Sequence, residues 1–231
     1  MGKLYDKLTE DYRIKEGLKA CINCGTCTAV CPAAEFYKYD PRQIVDIVQS
    51  KDDAEIDKLL KSETIWYCGE CMSCVTRCPR SNAPGLVIMA LRNLSIEMGY
   101  FAESEKGRQQ YALTKVLVSN ILNYGYCVYP RTFKSELHPE AGPVWEWGEK
   151  NINDFYERMG ANLDGDGTGA LRRIPHEDLD ELQRIFDVTG ATERIEKVNK
   201  YSLRKAEEMG LTPDEYFKKV FSETEKDHLN R

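Results

Sequence analysis

The sequence predicts an all-α chain, and three observations carry that prediction. Capping residues and prolines stand where helices should start, apolar residues recur at helical spacing, and glycines stand where the stripes stop. In chain order, Asp40-Pro41 reads as an N-cap followed by a first-turn proline. Ile44, Ile47 and Val48 then share one face. A second short helix is expected over 52–61, where Ile56, Leu59 and Leu60 form the apolar side. "APGLVIMALRNLSIEMGY" (83–100) reads as another, closing at Gly99. A further helix is expected over 104–122, whereas 125–149, rich in proline and aromatics, reads as irregular. Pro175 opens a helix through Leu179, Leu182 and Phe186 that stops at Gly190, and the next runs from about Thr192 to Met209. Thr212 and Glu215 form a capping box around Pro213, which starts the last one. The expected organisation is a cysteine-rich helical domain over 1–103 and a helical extension over 104–231.

Composition narrows the function classes. With 231 residues, 42% hydrophobic and 30% charged, the chain has the make-up of a globular protein. A net charge of −6 and the lack of a basic stripe argue against nucleic acid, whose phosphates demand clustered Lys and Arg. "MGKLYDKLTE" lacks the apolar run of a secretory signal, and Asp6 stands where a myristoylation site needs Ser or Thr. "YALTKVLVSNIL" (111–122) is too short to span a bilayer and is broken by Lys115 and Asn120. The expectation is a soluble, cytoplasmic chain without a membrane span.

Eight of the nine cysteines lie within 21–78. Cys21, Cys24, Cys27 and Cys31 precede Pro32, and Cys68, Cys71, Cys74 and Cys78 precede Pro79. Both sets read C-x-x-C-x-x-C-x-x-x-C-P, the run of bacterial two-cluster ferredoxins. Thiolates at successive intervals of three let one loop wrap three corners of a cube-shaped 4Fe–4S cluster. In two-cluster ferredoxins the fourth cysteine of each run serves the other cluster. That pattern assigns one cluster to Cys21, Cys24, Cys27 and Cys78 and the other to Cys68, Cys71, Cys74 and Cys31. Structural zinc uses separated C-x-x-C pairs and has no use for a third interleaved cysteine. Haem attachment needs C-x-x-C-H, and Gly25, Thr28, Met72 and Val75 occupy the following positions. Ile22, Val30, Trp66, Met72 and Val75 are expected to shield the clusters from water, with backbone amides near Gly25 and Gly69 donating to sulfur.

The paired motifs, their helical spacer, the "IWYCGEC" entry (65–71) and "LRN" (91–93) resemble the alpha-helical ferredoxin domain over about residues 15–100. That domain occurs in iron–sulfur subunits of succinate dehydrogenase and of glycerol-3-phosphate and glycolate oxidases, and in the C-type subunit of heterodisulfide reductases. Only twenty residues precede Cys21, too few for a plant-type 2Fe–2S domain. No Cys-Cys-Gly motif follows, and Cys127 is the one cysteine beyond 78. The chain is therefore most similar to the C-type subunit of heterodisulfide reductase. The tail resembles the corresponding subunit of the heterodisulfide-reductase-like complex of sulfur oxidisers more than the shorter methanogen form. The resemblance implies an electron-transfer subunit with no catalytic residue of its own. It also implies a hetero-oligomer containing a separate cysteine-rich catalytic subunit of B type and a further redox subunit. Two alternatives stay open: an electron-transfer subunit of another dehydrogenase or oxidase complex, and a binding module with structural clusters.

In the second half, the aromatics of 125–149 read either as a docking surface or as packing on the cysteine-rich domain. Cys127 reads as a buried small hydrophobe. "DGDGTGALRRIP" (164–175) imitates a calcium loop but carries Pro175 where the bidentate Glu belongs, so it reads as a flexible loop. His138, His176 and His228 show no ligand spacing and read as surface residues.

Overall fold

The computed structural model describes residues 3–222, and among these the regular structure is helical throughout. The chain forms two compact units, one up to Arg108 and one from Gln109.

The first unit is built on one apolar helix. Helices α1 (Lys3–Glu10), α2 (Tyr12–Gly17), α5 (Pro41–Ser50) and α6 (Asp53–Leu60) all pack against α7 (Pro84–Glu97). Two shorter helices, α3 (Thr26–Ala29) and α4 (Pro32–Phe36), lie in and after the first cysteine run. α7 is apolar around most of its circumference, burying Val87, Ile88, Ala90, Leu91, Leu94 and Ile96, as befits a helix enclosed by others. Ile44, Val45 and Val48 of α5 and Ile56, Leu59 and Leu60 of α6 complete the core. Each such side chain contributes roughly 1.5–3 kcal/mol of burial. Gly17 lets α2 approach the start of α7: a Cβ there would lie 3.0 Å from the Ala83 carbonyl oxygen, and the Ala83 amide donates to the Gly17 carbonyl at 2.8 Å.

Helix ends are satisfied partly from nearby and partly from afar. Asp40 caps α5 as its sequence predicts, accepting from the amides of Arg42 and Gln43 at 2.9 and 3.2 Å, and Asp52 does the same for α6. Such caps contribute about 1 kcal/mol each. The first turn of α1 is instead held by Asp53, whose carboxylate accepts from the amides of Leu4 and Tyr5. Glu63 likewise accepts from the amides of Glu105 and Lys106 at 2.6 and 2.9 Å, where α8 (Glu105–Leu113) begins. The buried Ser95 hydroxyl donates to the Leu60 carbonyl at 2.7 Å, satisfying the end of α6 from α7.

In the second unit a π-helical turn (Thr114–Val118) leads into α9 (Ser119–Tyr124). The 125–149 segment, expected to be irregular, contains 3-10 turns and then most of α10 (Gly142–Lys150), and α11 (Ile152–Arg158) follows it. Pro143 explains the difference: it sits in the first turn of α10, where a missing amide costs nothing. The tail follows the expected course as α12 (His176–Val188), α13 (Ala191–Glu208) and α14 (Pro213–Ser222). The capping box at α14 is reciprocal, with the Thr212 amide donating to Glu215 at 2.8 Å and the Glu215 amide donating to the Thr212 hydroxyl at 3.3 Å.

The aromatics of 125–149 pack on one another within this unit. Tyr124 stacks on Tyr129 with centroids 3.9 Å apart, and Phe133 stacks on His138 while meeting Trp145 edge-on. His138 is thus half-buried rather than a plain surface residue, His176 is exposed, and His228 lies outside the described residues. The 164–175 loop, expected to be flexible, carries several side-chain hydrogen bonds. Asp164 is engaged by the Tyr129 hydroxyl and by Arg131, and Asn162 Nδ2 donates to the carbonyls of Asp166 and Thr168. Cys127 is exposed, not buried; its carbonyl, accepting from Asn120 Nδ2, is the part the fold uses. Among the described residues no helix is long and apolar enough to cross a membrane.

Candidate iron–sulfur site

The two cysteine runs fold alike, although one carries glycine where the other carries methionine. In each, the residue two after the first cysteine takes a left-handed conformation: Asn23 with φ 58° and Glu70 with φ 54°. The residue after the second cysteine does so as well, Gly25 at φ 80° and Met72 at φ 58°. Glycine adopts this region freely, while Met72 does so at a steric cost. The turns aim backbone donors at sulfur. The amides of Asn23 and Glu70 point at Cys21 Sγ and Cys68 Sγ, both at 3.4 Å, and that of Asn82 points at Cys78 Sγ at 3.3 Å. The second cysteine of each run has a hydroxyl beside it, Thr26 against Cys24 and Ser73 against Cys71, each at 3.4 Å. Those hydroxyls hold the Cys24 and Cys71 thiols below the usual range, which favours the thiolate that iron requires. Burial pushes the thiols of Cys27 and Cys74 up.

The eight thiols gather around two cavities. One is lined by Cys21, Cys24, Cys27 and Cys78, together with Ile22, Arg42 and Arg80. The other is lined by Cys31, Cys68, Cys71 and Cys74, with Tyr37, Tyr39, Tyr67 and Met72. Each cavity therefore draws three thiols from one run and the fourth from the other. Among the described residues no three Cys, His, Asp or Glu side chains converge on a single-ion position. Four thiols spread around a cavity are the donor set that a cube-shaped cluster, with iron at its corners, needs.

Three side chains that sequence reasoning did not single out hold this arrangement. Gln49 grips the backbone of Cys21, accepting from its amide at 2.8 Å and donating to its carbonyl at 3.2 Å. Arg92 does the corresponding work for the second run. It donates to the carbonyls of Cys68 at 2.6 Å and Ile65 at 2.7 Å, pairs with Glu70 at 2.5 Å, and lies over the Trp66 ring. Buried Asn82 joins the two runs: its Oδ1 accepts from the Lys19 amide at 2.7 Å while its own amide faces Cys78. Asn82→Ala leaves the Lys19 amide without that partner, and a loss of about 2 kcal/mol is expected. It should appear as a lower thermal midpoint of anaerobically purified protein; an unchanged midpoint would show that the clamp contributes nothing.

The expected water shield is only partly in place. Met72 lines its cavity and packs on Gly85, where an added Cβ would come within 2.8 Å of the Met72 sulfur. Ile22 lines the other cavity but is 59% exposed, and Val75 is 36% exposed. Trp66 packs against the core instead.

This architecture, an all-α scaffold presenting paired cysteine runs, defines an iron–sulfur protein, and residues 17–82 match the family model of a 4Fe-4S dicluster domain. The chain belongs to the family of heterodisulfide reductase C-type subunits. It is 42% identical over 185 residues to the C-type subunit of the ferredoxin:CoB-CoM heterodisulfide reductase of Methanosarcina acetivorans, covering 77% of this chain and 64% of that relative. It is 31% identical to the second C-type iron-sulfur subunit of the CoB–CoM heterodisulfide reductase of Methanocaldococcus jannaschii, over 66% of this chain and 76% of the relative. A third relative, the second C-type subunit of the H(2)/formate:CoB-CoM heterodisulfide,ferredoxin reductase of Methanococcus maripaludis, is 35% identical over 60% of this chain and 71% of its own length. The chain thus spans just under two thirds of the first relative, and an alignment of 185 residues extends well past the cysteine-rich unit. Its cofactors are 4Fe–4S clusters.

Proposed function

We propose that the chain relays single electrons through two 4Fe–4S clusters to or from a separate cysteine-rich catalytic subunit of a heterodisulfide-reductase-like complex. Cys21, Cys24, Cys27 and Cys78 hold one cluster and Cys31, Cys68, Cys71 and Cys74 the other. The observation that carries this reading is the lining of the two cavities, each with three thiols from one run and one from the other. When bound, the clusters supply one-electron oxidation and reduction. The chain's own residues hold the backbone of the two cysteine runs through Gln49, Asn82 and Arg92, and direct amides and hydroxyls at the ligand sulfurs. The reacting disulfide belongs to the partner: this chain contains no adjacent cysteine pair. Names of the relatives include a CoB–CoM heterodisulfide, and disulfide reduction or its reverse in sulfur metabolism is the role proposed here, in a cytoplasmic hetero-oligomer with a further redox subunit.

Purified anaerobically, the full chain is expected to carry close to eight iron and eight acid-labile sulfide, a number that follows from eight cysteines serving two cubane clusters. Both clusters should reduce and reoxidise reversibly in a potentiometric titration. Stoichiometric zinc without sulfide would overturn the cluster assignment, and clusters that resist reduction would favour a structural role. Co-purification of a cysteine-rich subunit from native extract tests the partner.

A further inference from the structure

Tyr39 lies 5% exposed in the core of the first unit, and its hydroxyl is buried with no hydrogen-bond partner. The cost of such an orphan is about 1–3 kcal/mol, so a buried phenol normally finds an acceptor. Tyr39 lines the cavity of Cys31, Cys68, Cys71 and Cys74, where its hydroxyl faces the Cys68 sulfur, with Cys31 and the Arg92 guanidinium also acting on it electrostatically. The other polar side chains there are engaged differently. Tyr37 and Tyr67 stack on each other at 4.6 Å, with Tyr67 also meeting the Tyr39 ring edge-on, and Ser73 faces Cys71. Apart from its cysteines, this lining carries no charged side chain, whereas Arg42 and Arg80 line the other cavity.

We infer that Tyr39 donates its hydroxyl proton to a sulfur of the cluster held by Cys31, Cys68, Cys71 and Cys74 and thereby raises the reduction potential of that cluster alone. A donor stabilises the electron-rich sulfur of the reduced state more than that of the oxidised state, which is how hydrogen bonds to sulfur tune such centres. The inference rests on the two-cluster reading proposed above, and it makes Tyr39 a tuning residue with no step of its own.

The test uses the full chain, purified anaerobically, with iron and sulfide measured first and the two paramagnetic signals assigned through Cys24→Ser and Cys71→Ser. Wild-type protein without sulfide overturns the parent reading and this inference together. With both clusters present, Tyr39→Phe is expected to lower the midpoint of the Cys71-assigned cluster and leave the other in place. The expected shift is about tenfold in the reduced-to-oxidised ratio at fixed potential, ~59 mV for one electron. Unchanged midpoints, or equal shifts at both clusters, overturn the assignment of Tyr39 while leaving the clusters intact. A second readout has opposite signs for the two cases: removing an orphan hydroxyl raises the thermal midpoint of the loaded protein, and removing a donor does not. If the variant loses the cluster, wild-type protein carrying tyrosine labelled with oxygen-17 at the phenol decides. An oxygen coupling on the Cys71-assigned signal is expected in double resonance, and its absence overturns the proposal.

Discussion

Cys31→Ser is expected to disturb the cluster whose other ligands are Cys68, Cys71 and Cys74, and to leave the one built on Cys21, Cys24 and Cys27 near its native state. Serine matches cysteine in size but offers iron a harder, poorer ligand, so the affected cluster should shift in potential or lose an iron. Cys78→Ser should do the reverse. The physical basis is the sharing of thiols between the two cavities, with Cys31 lining the cavity of Cys68, Cys71 and Cys74 and Cys78 that of Cys21, Cys24 and Cys27. Electron paramagnetic resonance of the reduced protein reads the outcome once each signal has been assigned with Cys24→Ser and Cys71→Ser. A Cys31→Ser spectrum matching that of Cys24→Ser would mean that each run ligates its own cluster, and would falsify the crossed assignment.

Arg92→Ala carries the other large effect. The side chain is mostly enclosed, and its guanidinium serves two backbone carbonyls and one carboxylate at once. Hydrogen bonds from a charged donor contribute roughly 1.5–3 kcal/mol each. The half-exposed pair with Glu70 adds little beyond them. A total loss of about 3 kcal/mol is expected, concentrated on the loop that presents Cys68 and Cys71. The variant should therefore lose the second cluster well before the first when challenged with an iron chelator. Arg92→Lys should recover only part of the loss, because an ammonium lacks the planar fork that reaches several acceptors together. Equal rates of iron release from both clusters in Arg92→Ala would show that the clamp is not local to the second run.

Much of the scaffold is legible in the sequence because its helices carry their own signals. α5, α6, α12, α13 and α14 have local caps or glycine stops, and in all of them but α12, which buries no side chain fully, the buried residues recur at helical spacing. α1 does not announce itself, since the carboxylate that closes its first turn is Asp53, far along the chain. α10 is obscured because a first-turn proline reads as a break when no cap precedes it. The candidate site divides in the same way. Its eight cysteines stand out by spacing, whereas Gln49, Asn82 and Arg92 act on backbone groups remote in sequence, so no local pattern marks them. "LRN" contained the arginine without revealing what it grips. Cys127 shows the limit of a residue-type rule: free cysteine is usually buried, but here the chain runs along the surface and only the carbonyl is engaged.

The exchange of thiols between the runs also bears on chain entropy. With the ligands joined as proposed, one cross-link ties Cys31 to Cys68 and a wider one ties Cys21 to Cys78, so α5 and α6 sit inside two nested loops. Closing the outer loop costs less once the inner one is made, because the free length between its ends is then much shorter. Insertion of either cluster therefore assists insertion of the other, with no direct contact between them. The core of α5, α6 and α7 gains from this as a disulfide-bonded domain gains from its bridges: the unfolded chain has fewer conformations to explore. In a compartment that keeps thiols reduced, iron and sulfide become the staple that oxidation supplies elsewhere.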